Sequence, residues 1–360
     1  MTSNGFIGRA MAVLVALATS FALPAWAGDK ASTTDPLDGP ALTTRLVAST
    51  QTFGLSHAGQ RAVAVGVRGL IVYSDDGGEH WTQANVPVSS DLVTVFFINP
   101  KRGWAGGHDG VILRTDDGGT TWVKQFDGRM AAKQLVAHFE AGAKAGDANS
   151  LRLRDEMVRN YTNGPEQPIL DIWFETPERG WAVGGFGTLL GTQDGGKTWQ
   201  SWIEKVDIDQ MYHYNAIRGF GGDVYIASER GMVFKLDRER DRFTLLDTGY
   251  KGSYFGLVGN NDYVIAFGLQ GTAYRSRNRG KSWSRLNVGV QTGLTGGTLL
   301  ADSSLVLVTQ DGRLLRSTNQ GDSFQAVPVA RPTLFTSVTQ VEVKRLVLSG
   351  LSGLQAISLP

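Results

Sequence analysis

Thr115-Asp116-Asp117-Gly118-Gly119-Thr120-Thr121-Trp122 is the stretch on which the fold turns, because this eight-residue box returns along the chain. It recurs upstream as Ser74-Asp75-Asp76-Gly77-Gly78-Glu79-His80-Trp81 and downstream as Thr192-Gln193-Asp194-Gly195-Gly196-Lys197-Thr198-Trp199. Two looser copies lie at 276–283, with Asn278 and Trp283, and at 317–324, with Asn319 and Phe324. A box repeated at regular spacing means that one supersecondary unit is stacked on itself.

Working outward from the box, a tight glycine turn lies just upstream, between two short runs of β-forming residues, as in Val63-Ala64-Val65-Gly66-Val67-Arg68-Gly69-Leu70-Ile71-Val72. The turn glycine returns at Gly69, Gly110, Gly187, Gly231, Gly271, Gly312 and Gly353. The spacing is 40 to 44 residues, apart from 77 between Gly110 and Gly187. A four-stranded propeller blade takes roughly 40–45 residues. The pattern therefore predicts an all-β, seven-bladed β-propeller, with one insertion between blades 2 and 3. The unit around Gly231 lacks its box, and the last unit stops one strand short. Residues 43–48 are expected to supply that strand, closing the ring and removing an open sheet edge.

The box has a local job. Asp76, Asp117 and Asp194 are placed to accept hydrogen bonds from peptides of their own turn. The glycine at the fifth position supplies a positive φ. Trp81, Trp122, Trp199, Trp283 and Phe324 start the outer strand and pack between blades. A calcium loop would need a bidentate glutamate at a set spacing, and none lies beyond these boxes.

The insertion differs in composition. Residues 130–144 are rich in Ala, Lys, Leu and Glu, and Leu135 and Phe139 stand four apart, as do Leu153, Met157 and Tyr161. Two short amphipathic helices are expected within 128–168. They form either a tolerated surface addition or a lid or docking element. At the other end, Arg9, the apolar run 10–23 and Pro24-Ala25-Trp26-Ala27 before Gly28 form a secretory signal pattern. The expected layout is a signal peptide at 1–27, a flexible mature arm at 28–41 and the propeller at 42–360. The expected product is an exported monomer, periplasmic in a Gram-negative host, with no integral membrane segment after cleavage.

Composition narrows the chemistry. The chain has 360 residues, no cysteine, five histidines and a formal charge of +1 from 35 basic and 34 acidic side chains. Near-neutral charge argues against nucleic acid. The absence of cysteine removes disulfides and thiolate chemistry, and the histidines lack metal-type spacing. No cofactor is expected.

With the boxes on one rim, the turns between second and third strands share the opposite rim with the crossovers between blades. That rim collects Arg68, His108, Asp109, Glu229 and Arg230 from the turns, and Tyr212, His213, Tyr214 and Tyr254 from the crossovers. These nine are the candidate partner-binding residues. The alternative is a glycoside hydrolase of the sialidase-like Asp-box type, using carboxylates among Asp109, Glu229 and Asp311. Turnover of sialosides or aryl glycosides, abolished by Glu229→Gln or Asp109→Asn, would establish it. An Arg-Ile-Pro motif of such enzymes is missing here.

Gly-Trp-Ala-Val-Gly-Gly-Phe-Gly-Thr-Leu-Leu at 180–190 with its box, Tyr-Phe-Gly-Leu at 254–257 and Gly-Gly-Thr-Leu-Leu at 296–300 resemble the photosystem II stability/assembly-factor-like β-propellers with BNR/Asp-box repeats. The resemblance covers 55–354. It implies a non-enzymatic scaffold that binds a protein partner. In photosynthetic members that partner is an immature membrane subunit, held through an arginine patch. Exported bacterial members resemble accessory factors of envelope complexes or transporters. Arg68, Arg218 and Arg230 are the arginines in or near the expected mouth.

Overall fold

The computed structural model describes residues 34–359. The chain divides into Met1–Thr34 and Asp35–Pro360. The signal peptide expected at 1–27 lies outside the described residues. The second unit forms seven antiparallel sheets spanning 52–83, 92–126, 169–201, 214–247, 254–285, 294–327 and 335–358. The chain runs outward in each blade, and the first strands stand side by side around the axis, blade 7 against blade 1. This is the expected seven-bladed propeller.

The second strand of each blade is buried along nearly its whole length, as in Gly103–Gly107 and Leu305–Thr309. Neighbouring blades cover both faces, so beyond a charged first residue in blades 1, 4 and 7 these strands are mostly apolar or small rather than alternating. Nearer the axis the blades converge until only glycine fits. A Cβ on Gly54 would lie 2.9 Å from the Val93 carbonyl oxygen, and one on Gly296 would lie 2.9 Å from the Ser337 Cα.

The boxes behave as hairpin locks. Thr115 Oγ1 donates to Asp117 Oδ1 (2.8 Å) and accepts from the Gly119 peptide (3.0 Å). Asp117 Oδ1 also accepts from the Thr120 and Thr121 peptides, and Oδ2 takes the Thr121 hydroxyl (2.6 Å). In the looser boxes the last bond is reversed. Asn278 and Asn319 donate from Nδ2 to the hydroxyls of Ser282 and Ser323 (2.8 and 2.9 Å). A hydroxyl can give or take, so one geometry serves both residue types.

Each box is also tied to the blade before it. Trp81 packs among Val347 and Ala356 of blade 7, and Phe324 against Ile265 and Leu286 of blade 5. A cation from the preceding blade then reaches a box carbonyl oxygen: Arg61 to Gly118, Arg114 to Gly195, Lys235 to Arg279, Arg275 to Gln320 and Arg345 to Gly77. Blade 4, without a box, holds its outer hairpin by pairing Met232–Asp237 along the full length of Arg242–Asp247.

Blade 7 has three strands. The expectation that 43–48 form its fourth strand is corrected: this segment is not a strand and meets the blade at one backbone bond, Leu354 N–H to Ala48 O (2.7 Å). Gln83 of blade 1 holds the segment before that bond, accepting from Thr44 N–H and donating to Leu42 O, both at 3.0 Å. The expected flexible arm is likewise corrected from Asp35 onward. Leu37 is 1% exposed, its carbonyl takes the Lys124 ammonium (2.7 Å), and Arg129 forks onto Asp38. Residues 35–48 thus form a strap across blades 2, 1 and 7, and ring closure is completed by side chains.

The insertion folds as expected into two helices, α1 (Gly128–Lys144) and α2 (Ala148–Asn160), capped by Asp127 and Asp147. Their apolar stripes, Leu135 and Phe139 on α1 and Leu153 and Met157 on α2, join Phe126, Trp199 and Ile203 in one core cluster. The helices are therefore part of the ring's packing and not a loose addition.

Candidate functional site

The rim opposite the boxes is set by turn chemistry. In blades 1 to 5 the turn between second and third strands has a tip residue followed by a glycine, both at positive φ: Arg68 (54°), Asp109 (57°), Phe186 (51°), Arg230 (54°) and Gln270 (55°). Two successive positive φ values define the tight hairpin turn matched to strand twist, which favours Asn, Asp or Gly at its first position. For other residues the left-handed region costs about 1–2 kcal/mol each. Arg68, Phe186, Arg230 and Gln270 carry that strain with their side chains directed off the rim.

Phe186, Tyr212, His213, Glu229 and Arg230 meet between blades 3 and 4. The Phe186 peptide N–H donates to His213 Nδ1 (3.1 Å), which places the imidazole proton on Nε2. The Phe186 ring lies edge-on to the imidazole, with centroids 4.7 Å apart. Glu229 Oε2 accepts from the His213 peptide (3.2 Å), Ser228 Oγ donates to His213 O (2.7 Å), and the Arg230 guanidinium lies 5.3 Å above the Tyr212 ring. The crossover is laced to hairpins on both sides. Phe186 itself is half-exposed; Leu269 of the blade 5 turn and Leu351 of the blade 7 turn are exposed apolar side chains further round the rim, while Phe255 lines the central channel.

Not every expected residue belongs to this surface. Tyr214 and Tyr254 are corrected to interior residues, 3% and 0% exposed. Each opens an inner strand, where alternation turns its side chain between blades. Tyr214 packs on Phe234, and the Tyr254 hydroxyl donates to Thr248 Oγ1 (2.9 Å). Burial holds both phenols above the ordinary tyrosine range. Arg68, His108 and Asp109 do lie on the rim, but on blades 1 and 2. There Arg68 N–H donates to Asp91 and Asp109 accepts from Ser90 Oγ (2.6 Å). Arg218 leaves the rim for the central channel, where it pairs with buried Asp171. The sequence reading placed Phe186 on this rim from its position at a hairpin tip but did not count it among the candidate binding residues.

The carboxylates of the glycoside hydrolase alternative are not brought together. Asp109, Glu229 and Asp311 stand on different blades, and each spends an oxygen on its own surroundings, Asp311 on Thr309 and Arg313. No three His, Asp or Glu side chains cluster to hold a metal ion among the described residues.

The chain is 25% identical over 182 residues to the chloroplast photosystem II stability/assembly factor HCF136 of Oryza sativa subsp. japonica, covering 44% of this chain and 42% of that one. It is 28% identical over 178 residues to the Arabidopsis thaliana counterpart, covering 44% of each. The matches thus span less than half the length of these relatives. The solved structure of YCF48 bound to D1 peptide superposes with a TM-score of 0.64 at 16% identity, over 89% of this chain and 99% of that one. YCF48 from Cyanidioschyzon merolae gives 0.61 at 14%, over 87% and 97%. The WD40 propeller domain of Doa1, at 11% identity, gives 0.62 over 91% and 98%, so structural likeness speaks for the fold alone. The family model described as photosynthesis system II assembly factor YCF48 matches residues 50–136 and 159–284, and the chain belongs to that family.

Proposed function

We propose that this protein is a non-enzymatic, exported assembly or accessory factor. It holds a protein partner, a subunit of an envelope membrane complex or transporter, on the rim opposite the boxes. The carrying observation is the cluster of aromatic and arginine side chains that the hairpin tips and the crossover bring together between blades 3 and 4. Arg68, Phe186, Arg230 and Gln270 sit in a backbone conformation that a glycine would adopt freely. Positive φ also occurs at Asp241, Arg279, Ser303 and Gln320 on the box rim, so it is the groups these tips present, and not the strain, that favour this rim. Phe186, Tyr212 and Arg230 supply the aromatic and arginine anchors typical of protein interfaces. A rigid ring presents them with little ordering cost on binding.

Relatives that are assembly factors, and a propeller of this fold solved with a bound peptide, support the reading. The signal pattern at 1–27 supports export, with the periplasm as the site of action in a Gram-negative host. The test is to replace Arg68, Phe186 and Arg230 together by alanine and to measure co-purification of membrane proteins. Loss of partners is expected; full recovery discredits this rim.

A further inference from the structure

The strap presents a second surface, at blades 7 and 1, across the ring from the cluster between blades 3 and 4, and it does not rest on the reading given there. Where the strap serves the fold its apolar residues are buried, as Leu37 is at 1% exposure, yet Leu42 and Leu46 stand 71% and 66% exposed. Leu46 is held in that position. Its carbonyl oxygen accepts from the Ser49 and Thr50 peptides (3.1 and 2.9 Å) and from Thr50 Oγ1 (2.7 Å). Leu351, at the neighbouring hairpin tip of blade 7, is exposed as well. Lone exposed leucines need no explanation. Here three share one sector with cations that the fold leaves unused.

Many arginines of the ring are spent on carboxylates, such as Arg61 on Asp75 and Arg316 on Asp302. Arg45 and Arg331 are exposed and have no carboxylate partner among the described residues. Both line one cavity of about 230 Å³, with Ser49 and Ser352 on its wall. A neighbouring cavity beside Leu42 adds Arg68 and Asp91. Three guanidiniums and one carboxylate therefore line the two cavities, and the sector is positive.

Exposed apolar groups flanked by cations are the equipment of a membrane-surface anchor, the first entering the headgroup layer and the second meeting lipid phosphates. We propose that this sector docks on an anionic phospholipid surface, with Arg45 and Arg331 on a lipid phosphate and Leu42, Leu46 and Leu351 in the headgroup layer. Charge selects this occupant. An apolar protein face covering the leucines would leave both guanidiniums without a partner.

The experiment is co-sedimentation of the purified exported protein with vesicles of phosphatidylcholine alone and of phosphatidylcholine mixed with phosphatidylglycerol. Binding to the mixed vesicles only is expected, weakening as salt is raised. Arg45→Gln combined with Arg331→Gln should weaken it roughly thirty-fold, the effect of two cations near an anionic surface. Leu46→Ser should weaken it too. These exposed substitutions should leave Tm unchanged, so lost binding is not lost folding. Lys197→Gln with Lys281→Gln on the box rim, and Phe186→Ala between blades 3 and 4, should bind as the parent does, which separates this surface from the partner-binding cluster. Glycerol phosphate at matched ionic strength should not displace the vesicles. The proposal is overturned by no binding, by equal binding to both kinds of vesicle, or by an Arg45 and Arg331 variant that binds like the parent. An equal loss in the control variants, or displacement by glycerol phosphate, would also overturn it.

Discussion

Arg345 of blade 7 donates from Nε to the carbonyl oxygen of Gly77 in the first box, at 2.7 Å, across 268 residues of chain. Its Nη2 reaches Glu79 of the same box (3.0 Å). The bond is one of the five cation-to-box links, and here it joins the last blade to the first. A ring lacking a fourth strand in its final blade closes through a side chain.

Replacing Arg345 by methionine is expected to lower stability by about 2 kcal/mol, the usual weight of a hydrogen bond to a charged group in a partly shielded place. Arg102→Met, which removes an exposed pair with Asp116, should cost less than about 1 kcal/mol. Urea unfolding of the two variants checks the difference. Equal losses would deny the ring-closing role.

Asp117 is held below the ordinary carboxylate range. Burial pushes it up, but bonds from the Thr121 hydroxyl and peptide and from Thr115 outweigh that. A lowered native value adds stability that is complete above the unfolded value of about 3.9 and is lost as pH falls through the native one. Asparagine already serves at 278 and 319. Asp117→Asn should therefore cost no more than about 1 kcal/mol at pH 7, and the gap to the parent should narrow as pH falls below the unfolded value of about 3.9. Unfolding midpoints measured from pH 7 to pH 2.5 test this. A gap that widens in acid would be contrary to it.

Tyr254→Phe should cost about 1 kcal/mol for its bond to Thr248 and leave partner recovery unchanged. A loss of partner with unchanged stability would return Tyr254 to the binding rim.

Phe139→Ala in α1 should destabilise the whole propeller by about 3–5 kcal/mol, because the ring is buried against blade 3. A single cooperative transition is expected by calorimetry. Separate melting of the helices would mean that the insertion is not part of the core.

The boxes and hairpin glycines made the ring legible, since both are local and glycine at positive φ leaves a mark in sequence. The cation links were not legible. Arg114 and Gly195 are far apart in the chain, and nothing near either residue announces the other. Nor did the pattern reveal that 42–44 would be held by Gln83 of blade 1, or that 43–48 would meet blade 7 at a single backbone bond. Within Tyr212-His213-Tyr214 the first two lie on the rim and the third turns inside, because the inner strand begins at Tyr214. A one-residue difference in strand start exchanges inside for outside, and turn glycines do not fix it.

Site-specific photo-crosslinking in envelope membranes tests the central claim most directly, with the reactive group placed singly at Arg68, Phe186 and Arg230, and at Lys197 and Lys281 on the box rim. The account predicts adducts to a membrane protein from the first three positions and none from the last two. Adducts from Lys197 or Lys281, with none from Phe186 and Arg230, would contradict it.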